Sequence, residues 1–240
     1  MIDVDRPRDR ILRLRLNRPE RRNALDGAMV TRLIEVFAGD GRGVAAVVLS
    51  GRDGFCSGLD VSLHDRERAE VSDRLYELYR LMVGYPRPVV AAARGHAIGA
   101  GAQLLIASDL RVVSADCDIR FPGPEHGLAV GAWGLPSLVG RGRAMDLCLT
   151  MRPVGSAEAL RIGLVDRVAD DPDAAALAIA SDLADLDVAA VERVKSVVAR
   201  ACVLGPALTA EAGGNRGHVP SAGRRATADR EGDPAWRARE

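Results

Sequence analysis

The sequence predicts an α/β protein, because its apolar runs, glycine-rich loops and helical patterns follow one another in a repeated order. Two compact apolar runs, 44–49 and 89–93, have the composition of strands buried on both faces of a parallel sheet. Each run is followed by a glycine-dense loop, 51–58 or 95–101, and then by a helical pattern. Strand, glycine loop and helix therefore alternate twice, which favours an α/β architecture.

The other elements are predicted from local patterns. The alternating run 11–16 is expected to be a strand that ends at the turn signal Asn17-Arg18-Pro19. Asp26 is the expected N-cap of a helix, since apolar residues recur at helical spacing from Met29 to Phe37. Further helices are predicted over 65–82, 102–107, 174–186 and 188–204, and a further strand over 110–113.

Length and charge exclude several classes of function. A chain of 240 residues indicates one large domain, and 48% apolar with 28% charged residues is an ordinary globular composition. Thirty-three basic residues balance 33 acidic ones, so no global charge favours nucleic acid or an anionic membrane as a partner.

The distribution of polar groups and cysteines favours a cytoplasmic protein. The apolar stretch 88–107 is interrupted by Arg94, His96 and Gln103, which would lack partners in lipid, so membrane insertion is not expected. Residues 1–10 are charged and contain no apolar core of a secretory signal. The four cysteines lie at neither zinc-ligand nor CxxC spacing and are expected to be reduced thiols.

The glycine loops do not match two familiar glycine-rich motifs. The string Gly99-Ala100-Gly101 lacks the third glycine of a dinucleotide fingerprint, since position 104 is leucine. Ser57 is one place late for a hydrolase nucleophile elbow. Each loop instead presents backbone N–H groups between a strand and a helix, and two such groups converging on one oxygen would form an oxyanion hole. The alternative is that both loops are tight turns with packed glycines.

Several strings resemble the enoyl-CoA hydratase/isomerase (crotonase) family in order and spacing over residues 8–200. The residues that carry the resemblance are Leu16-Asn17-Arg18-Pro19-Glu20-Arg21-Arg22-Asn23-Ala24-Leu25, Phe55-Cys56-Ser57-Gly58-Leu59-Asp60, the stretch from Pro88 to Gly101, Ser108-Asp109-Leu110-Arg111, and Ser156-Ala157-Glu158-Ala159-Leu160 with Gly163-Leu164-Val165. The resemblance implies a spiral of repeated ββα units with a helical C-terminal region that mediates assembly into a homotrimer or hexamer.

The resemblance also implies an acyl-CoA thioester as ligand and assigns residues to it. The oxyanion donors would be the backbone N–H groups of Leu59 and Ala100. The expected coenzyme A positions are Arg22, Ala24, Ser57, Gly58 and Asp60, with Asp60 expected to act through hydrogen bonds within its loop. No metal ion and no redox cofactor is implied.

The acid/base positions depart from the family pattern. The place of the first hydratase glutamate is taken by Gln103, which can orient a water or a thioester but cannot exchange a proton near pH 7. The second is supplied by Glu125 if the string Phe121-Pro122-Gly123-Pro124-Glu125 is aligned on its Pro-Glu pair. Alignment on Gly127 would instead put Gly123 there and leave no carboxylate. His126 is a possible substitute for Glu125, and Trp133 is expected either to wall the acyl pocket or to pack in the core.

The sequence therefore predicts an acyl-CoA-binding domain over residues 1–200 and an atypical, flexible tail over 201–240. The expected activity is isomerisation or hydration of an enoyl-CoA with a single glutamate, Glu125. The alternatives are an acyl-CoA binder without activity, or a thioester hydrolase or decarboxylase, since one oxyanion hole serves all these reactions.

Overall fold

The computed structural model describes residues 1–216, which contain nine strands and eight α-helices. The strands are β1 (Ile2–Arg8), β2 (Ile11–Leu16), β3 (Ala46–Gly51), β4 (Val89–Ala93), β5 (His96–Ile98), β6 (Leu110–Val113), β7 (Asp118–Arg120), β8 (Val154–Gly155) and β9 (Arg167–Val168). The helices are α1 (Gly27–Phe37), α2 (Asp65–Gly84), α3 (Ala100–Ala107), α4 (Leu135–Thr150), α5 (Ser156–Ile162), α6 (Pro172–Ala184), α7 (Val188–Ala201) and α8 (Leu204–Asn215).

The strands form two sheets, and successive repeats contribute one strand to each. The larger sheet has the order β1-β2-β3-β4-β6-β9 and is parallel except for the β1–β2 hairpin, while the smaller one has the order β5-β7-β8. β4, β5 and α3 make one repeat, and β6 and β7 begin the next. The parallel bridges Leu25–Leu59 and Cys56–Ala97 continue the second row of strands toward the N-terminus. The chain thus winds as a spiral of stacked turns.

The central strands are buried on both faces, as their apolar composition predicted. Val47, Leu49 and Ala91 face a cluster that includes α1, α2 and α3. Val48 and Val90 face a second cluster to which α6 contributes. Since adjacent strand residues point to opposite faces, a strand covered on both sides has no polar alternation to show in its sequence.

Most of the predicted elements are confirmed, including their caps. Asp26 caps α1 by accepting a 2.8 Å hydrogen bond from the backbone N–H of Met29. The helix predicted over 65–82 runs from 65 to 84. The glycine loop 95–101 contains the short strand β5, which the sequence analysis did not predict. The sequence pattern also gives no sign of the first turns of α4, where Pro136, Gly140 and Gly142 are poor helix formers; Gly140 has φ 77° and breaks the helix into two parts.

The prediction of a flexible tail from residue 201 is wrong for residues 204–215, which form α8. This helix packs on α2, and Leu208, Glu211 and Asn215 are buried. Two of these three side chains are polar, so the helix carries almost no apolar periodicity and is held by buried hydrogen bonds instead. Residues 217–240, the rest of the expected tail, lie outside the described part of the chain.

No helix among residues 1–216 is long and apolar enough to cross a membrane. The four cysteines are all free thiols, of which Cys56 and Cys117 are buried. Burial raises the pKa of the Cys56 thiol to about 12, so this group is a neutral part of the core.

Candidate active site

The two glycine loops lie side by side and are joined by backbone hydrogen bonds. The Cys56 N–H donates to His96 O at 3.1 Å, and the Ile98 N–H donates to Cys56 O at 3.0 Å. Gly101 permits this approach, because a methyl group at that position would lie 2.7 Å from Cys56 Cβ and would also meet Cys56 O. The spiral therefore fixes the position of one loop against the other.

This arrangement leaves two backbone donors together at the junction of the loops. The residues on either side of Leu59 both bond to the backbone of Leu25. The carbonyl of Gly58 accepts from Leu25 N–H, and the N–H of Asp60 donates to Leu25 O. Among residues 1–216 the N–H of Leu59 itself meets no acceptor, and neither does that of Ala100, the first residue of α3. A methyl group at Gly58 would lie 3.7 Å from Ala100 N. The expected oxyanion donors are therefore close neighbours, both available to a ligand.

Both donors line a cavity of about 120 Å³ between the glycine loops, α2 and the segment 122–130. Its remaining walls are mostly apolar, which is typical of a site for an organic ligand. In the described part of the chain, no aspartate or glutamate side chain lines it. The polar lining residues are Ser57, Arg68, Ser72, Tyr76, Gln103 and His126.

The expected coenzyme A positions divide into lining and supporting residues. Ser57 and Gly58 line the cavity. Arg22 lies beside them on the surface, since its carbonyl accepts a 3.0 Å hydrogen bond from Ser57 N–H. Ala24 is buried, and its carbonyl accepts from Arg18 at 3.2 Å. Ser57 and Gly58 thus line the cavity, Arg22 is bonded to Ser57, and Ala24 directly precedes Leu25, whose backbone pairs with Gly58 and Asp60.

Asp60, the fifth, supports the loop and does not line the cavity. It is buried and forms an ion pair with Arg18 at 2.5 Å. It also accepts from the N–H and the hydroxyl of Ser62, at 2.9 and 2.7 Å. Burial alone would raise the pKa of this carboxyl, but the hydrogen bonds from Ser62 and Arg18 outweigh burial and lower the pKa. Its carboxylate holds the loop that carries Leu59.

Gln103 lies on the cavity wall with its amide orientation fixed by its neighbours. Its Oε1 accepts from the indole N–H of Trp133 at 2.9 Å and from the N–H of Gly131 at 3.3 Å. Its NH₂ group is the part left for other partners, one of which is the Tyr76 hydroxyl, since a hydrogen bond from Gln103 is among the effects that lower the pKa of Tyr76. Trp133 is buried, stacks against Tyr79 and does not line the cavity. Its position therefore supports packing in the core and not a role as a wall of the acyl pocket.

Glu125 lies at the edge of the site, on a short 3₁₀ turn, Pro124–His126. Its neighbours Pro122 and His126 line the cavity, but Glu125 does not. Its carboxylate forms a 2.9 Å ion pair with Arg120 at the end of β7. The structure thus brings Gln103 together with both expected oxyanion donors, and it places Glu125 beside them and facing Arg120.

Sequence reasoning missed a buried carboxylate behind the cavity wall, Glu211 of α8. It accepts from the Tyr76 hydroxyl at 3.0 Å, from Gly131 N–H at 3.2 Å and from Trp133 N–H at 2.8 Å. Burial raises its pKa to about 7, against the lowering effect of these donors. Glu211 and Gln103 share the N–H of Gly131, so the two side chains are neighbours. Nothing in the alanine- and glycine-rich sequence of α8 marked this residue.

Comparison with known proteins identifies the family. A family model described as enoyl-CoA hydratase/isomerase matches residues 7–216. A protein of Mycobacterium bovis named "Probable enoyl-CoA hydratase echA6" is 40% identical over 193 residues, covering 78% of each chain. One of Bacillus subtilis named "Putative enoyl-CoA hydratase/isomerase YngF" is 35% identical over 166 residues, 64% of this chain and 63% of that one.

Solved structures confirm the fold that the resemblance implied. An enoyl-CoA hydratase from Mycobacterium avium subsp. paratuberculosis superposes with a TM-score of 0.80 and 29% identity, covering 89% of this chain and 91% of that one. A probable enoyl-CoA hydratase/isomerase from Mycobacterium abscessus gives 0.75 and 33%, covering 88% and 87%. With the family model spanning both glycine loops and the cavity between them, this chain belongs to the enoyl-CoA hydratase/isomerase family of enzymes.

Proposed function

We propose that the cavity binds an acyl-CoA thioester and polarises its carbonyl, and that the reaction is isomerisation or hydration of an enoyl-CoA. The observation that carries the proposal is the pair of N–H groups, of Leu59 and Ala100, that meet no acceptor among residues 1–216 and lie at the junction of the two loops. The coenzyme A portion would lie along Arg22, Ala24, Ser57 and Gly58. In known enzymes, removing one such donor lowers the rate by about 10²–10³-fold, because the donor stabilises the negative charge that develops on the carbonyl oxygen in the transition state.

Glu125 is the proposed general acid/base. A single carboxylate can remove a proton next to the carbonyl and return it two carbons away, which moves the double bond. His126 of the same turn lines the cavity, so the proposal requires Glu125 to leave Arg120 and turn its carboxylate toward the ligand. Gln103 would orient the thioester or a water through its NH₂ group.

A second candidate function is acyl-CoA binding without turnover. Two observations favour it: no carboxylate of residues 1–216 lines the cavity, and Glu125 is engaged by Arg120. Oxyanion donors without a base would bind the thioester and leave its carbon–hydrogen bonds intact.

Ultraviolet absorbance of the conjugated thioester distinguishes these functions. Loss of absorbance with crotonyl-CoA would show hydration, and a gain with a 3-enoyl-CoA would show isomerisation. Calorimetric titration with butyryl-CoA, which has no double bond, measures binding in the same preparation. Turnover of either enoyl-CoA supports the first candidate, and binding without turnover supports the second.

Replacing Glu125 with glutamine is expected to lower turnover by about 10²–10⁴-fold while butyryl-CoA affinity stays within about threefold of wild type, because general acid/base help is lost and the binding walls are kept. Glu158→Gln is the matched control, since Glu158 is also ion-paired to an arginine, Arg152, but lies outside the cavity. Unchanged turnover in Glu125→Gln would show that this residue is not the base.

We also propose that the chain assembles with copies of itself as a homotrimer or hexamer. The support is α7, which has no buried residue and exposes Val194, Val197 and Val198 at helical spacing. Light scattering at micromolar concentration is expected to give the mass of three or six chains, and Val197→Glu is expected to lower it to that of one. Val4→Glu, at an exposed valine of β1, is the control. A monomeric wild-type protein would refute the assembly.

A further inference from the structure

The cavity contains a buried cation that the proposed chemistry does not use. Arg68 of α2 is the only arginine, lysine, aspartate or glutamate that lines the cavity within residues 1–216. Its side chain is 6% exposed. Guanidinium groups are seldom buried to this extent without a full set of partners, because taking a charge out of water is costly.

The neighbours of Arg68 satisfy only part of its guanidinium. One N–H donates to Val61 O at 3.3 Å, and another is paired with Asp65. The side chain of Asp65 is 75% exposed, so the pair is largely screened by solvent. The Nε–H of Arg68 is buried and meets no acceptor among the described residues. A buried cation with an unmet donor is held at a cost in free energy, and an anion in the adjoining cavity would offset that cost through its charge.

Arg68 lies within reach of the thioester position. Val61, to which it donates, comes two residues after the oxyanion donor Leu59, so the Cα atoms of these two residues are at most about 7 Å apart. Along α2, Arg68, Ser72 and Tyr76 follow at four-residue spacing and all line the cavity, which therefore extends about 12 Å along the helix. An acyl group held at the oxyanion hole would lie against this face.

We propose that the cavity accepts an acyl group bearing a second carboxylate, a dicarboxylic acid joined to coenzyme A through one end, and that Arg68 binds the free carboxylate. The inference rests on the proposed function, since it assumes that the thioester lies at Leu59 and Ala100. Each terminal nitrogen of Arg68 carries a second N–H beyond the one that donates to Val61 or Asp65, which suits a forked contact to a carboxylate, and no acidic side chain on the cavity wall within residues 1–216 would repel the ligand. A five-carbon diacid reaches about 5 Å beyond its thioester carbon, from bond lengths near 1.5 Å.

The test compares two ligands of equal length that differ only in the terminal charge, glutaryl-CoA and valeryl-CoA. Calorimetric titration of the full chain is expected to show tighter binding of glutaryl-CoA. Arg68→Met is expected to weaken glutaryl-CoA binding by roughly 10- to 100-fold, which is the usual effect of losing a hydrogen bond to a charged group. It is expected to change valeryl-CoA binding by less than about threefold, because that ligand has no free carboxylate. The affinity of Arg68→Lys for glutaryl-CoA should be intermediate, because lysine keeps the positive charge but cannot form the two-point contact of a guanidinium with a carboxylate.

Arg66→Met is the matched control, since Arg66 lies on the same helix with its side chain 92% exposed and paired with Glu70. It should leave both affinities unchanged. Equal affinity of the wild-type protein for the two ligands would overturn the inference, whether or not Arg68→Met folds. Equal losses for both ligands in Arg68→Met would also overturn it, by assigning Arg68 to the coenzyme A portion. Failure of both ligands to bind would instead refute the proposed function.

Discussion

Replacing Gly101 with alanine is expected to lower enoyl-CoA turnover, or acyl-CoA affinity if there is no turnover, by at least about a hundredfold. A methyl group there would lie 2.7 Å from Cys56 Cβ, closer than packed carbon atoms approach, and would also meet Cys56 O. The two glycine loops must then separate, which pulls Ala100 away from Leu59. Losing one oxyanion donor costs about 10²–10³ in known enzymes. Overpacking should also lower the free energy of unfolding by about 1–3 kcal/mol.

Gly142→Ala is the control for the substitution itself. Gly142 lies in α4 with open space around its Cα, and alanine is the better helix former. This variant should match the wild type in ligand affinity and gain up to about 1 kcal/mol in stability. Wild-type kinetics in Gly101→Ala would mean that the spacing of the two loops does not control the site.

The part of the site made from backbone could be predicted from the sequence, because it depends on contiguous glycine-rich strings. Leu59 and Ala100 were assigned through the family resemblance that these strings carry, and both residues line one cavity in the structure. Gln103 follows Ala100 by three residues on the same helix, so the string that locates Ala100 also locates Gln103. The alternation of strand, loop and helix likewise predicted the centre of the larger sheet, since β3 and β4 are short, apolar and each followed by a glycine loop.

The side chains that arrive from distant elements could not be predicted in this way. Glu211 reaches the site from α8 and bonds residues more than 70 positions away in the sequence. Arg68 lies in a helix whose first turn is highly charged, so its sequence context gives no sign that it turns inward. The direction of Glu125 depends on Arg120, a pairing across a turn that a Pro-Glu motif does not encode. Such contacts follow from tertiary packing.

Replacing Glu211 with alanine is expected to lower the free energy of unfolding by about 3–5 kcal/mol, measured by urea denaturation. The carboxylate accepts from the Tyr76 hydroxyl and from the N–H groups of Gly131 and Trp133, and all three donors are buried with it. Removing the acceptor leaves the N–H of Trp133 without a partner among the described residues, at about 1–3 kcal/mol before relaxation. As donors, the N–H of Gly131 and the Tyr76 hydroxyl keep only their bonds to Gln103 and Ala129, and the space left by the side chain adds to the cost. Glu70→Ala, at an exposed residue paired with Arg66, should change stability by less than about 1 kcal/mol.

The charge of Glu211 should also make stability depend on pH in a definite direction. Burial raises its pKa in the folded protein from the usual 4.5 to about 7. The folded state therefore binds more protons than the unfolded state between these values, so the free energy of unfolding falls as pH rises through that window. The full change from this group is up to about 3 kcal/mol, with the stabilising contribution present below pH 4.5 and lost above pH 7.

Glutamine at position 211 isolates this effect, because it keeps one acceptor oxygen and cannot ionise. The difference in unfolding free energy between wild type and Glu211→Gln should shift with pH from about 4.5 to 8, in favour of the wild type at the acidic end. Groups whose folded pKa is lowered, such as Asp60 and Glu158, lose their contribution as pH falls through more acidic values, and they are common to both proteins. A difference that stays constant across the window would show that Glu211 keeps one charge state throughout. A difference that declines from about pH 4.5 and levels off near pH 7 would mean that α8 docks beside Gln103 on a carboxyl group whose pKa in the folded protein is near 7.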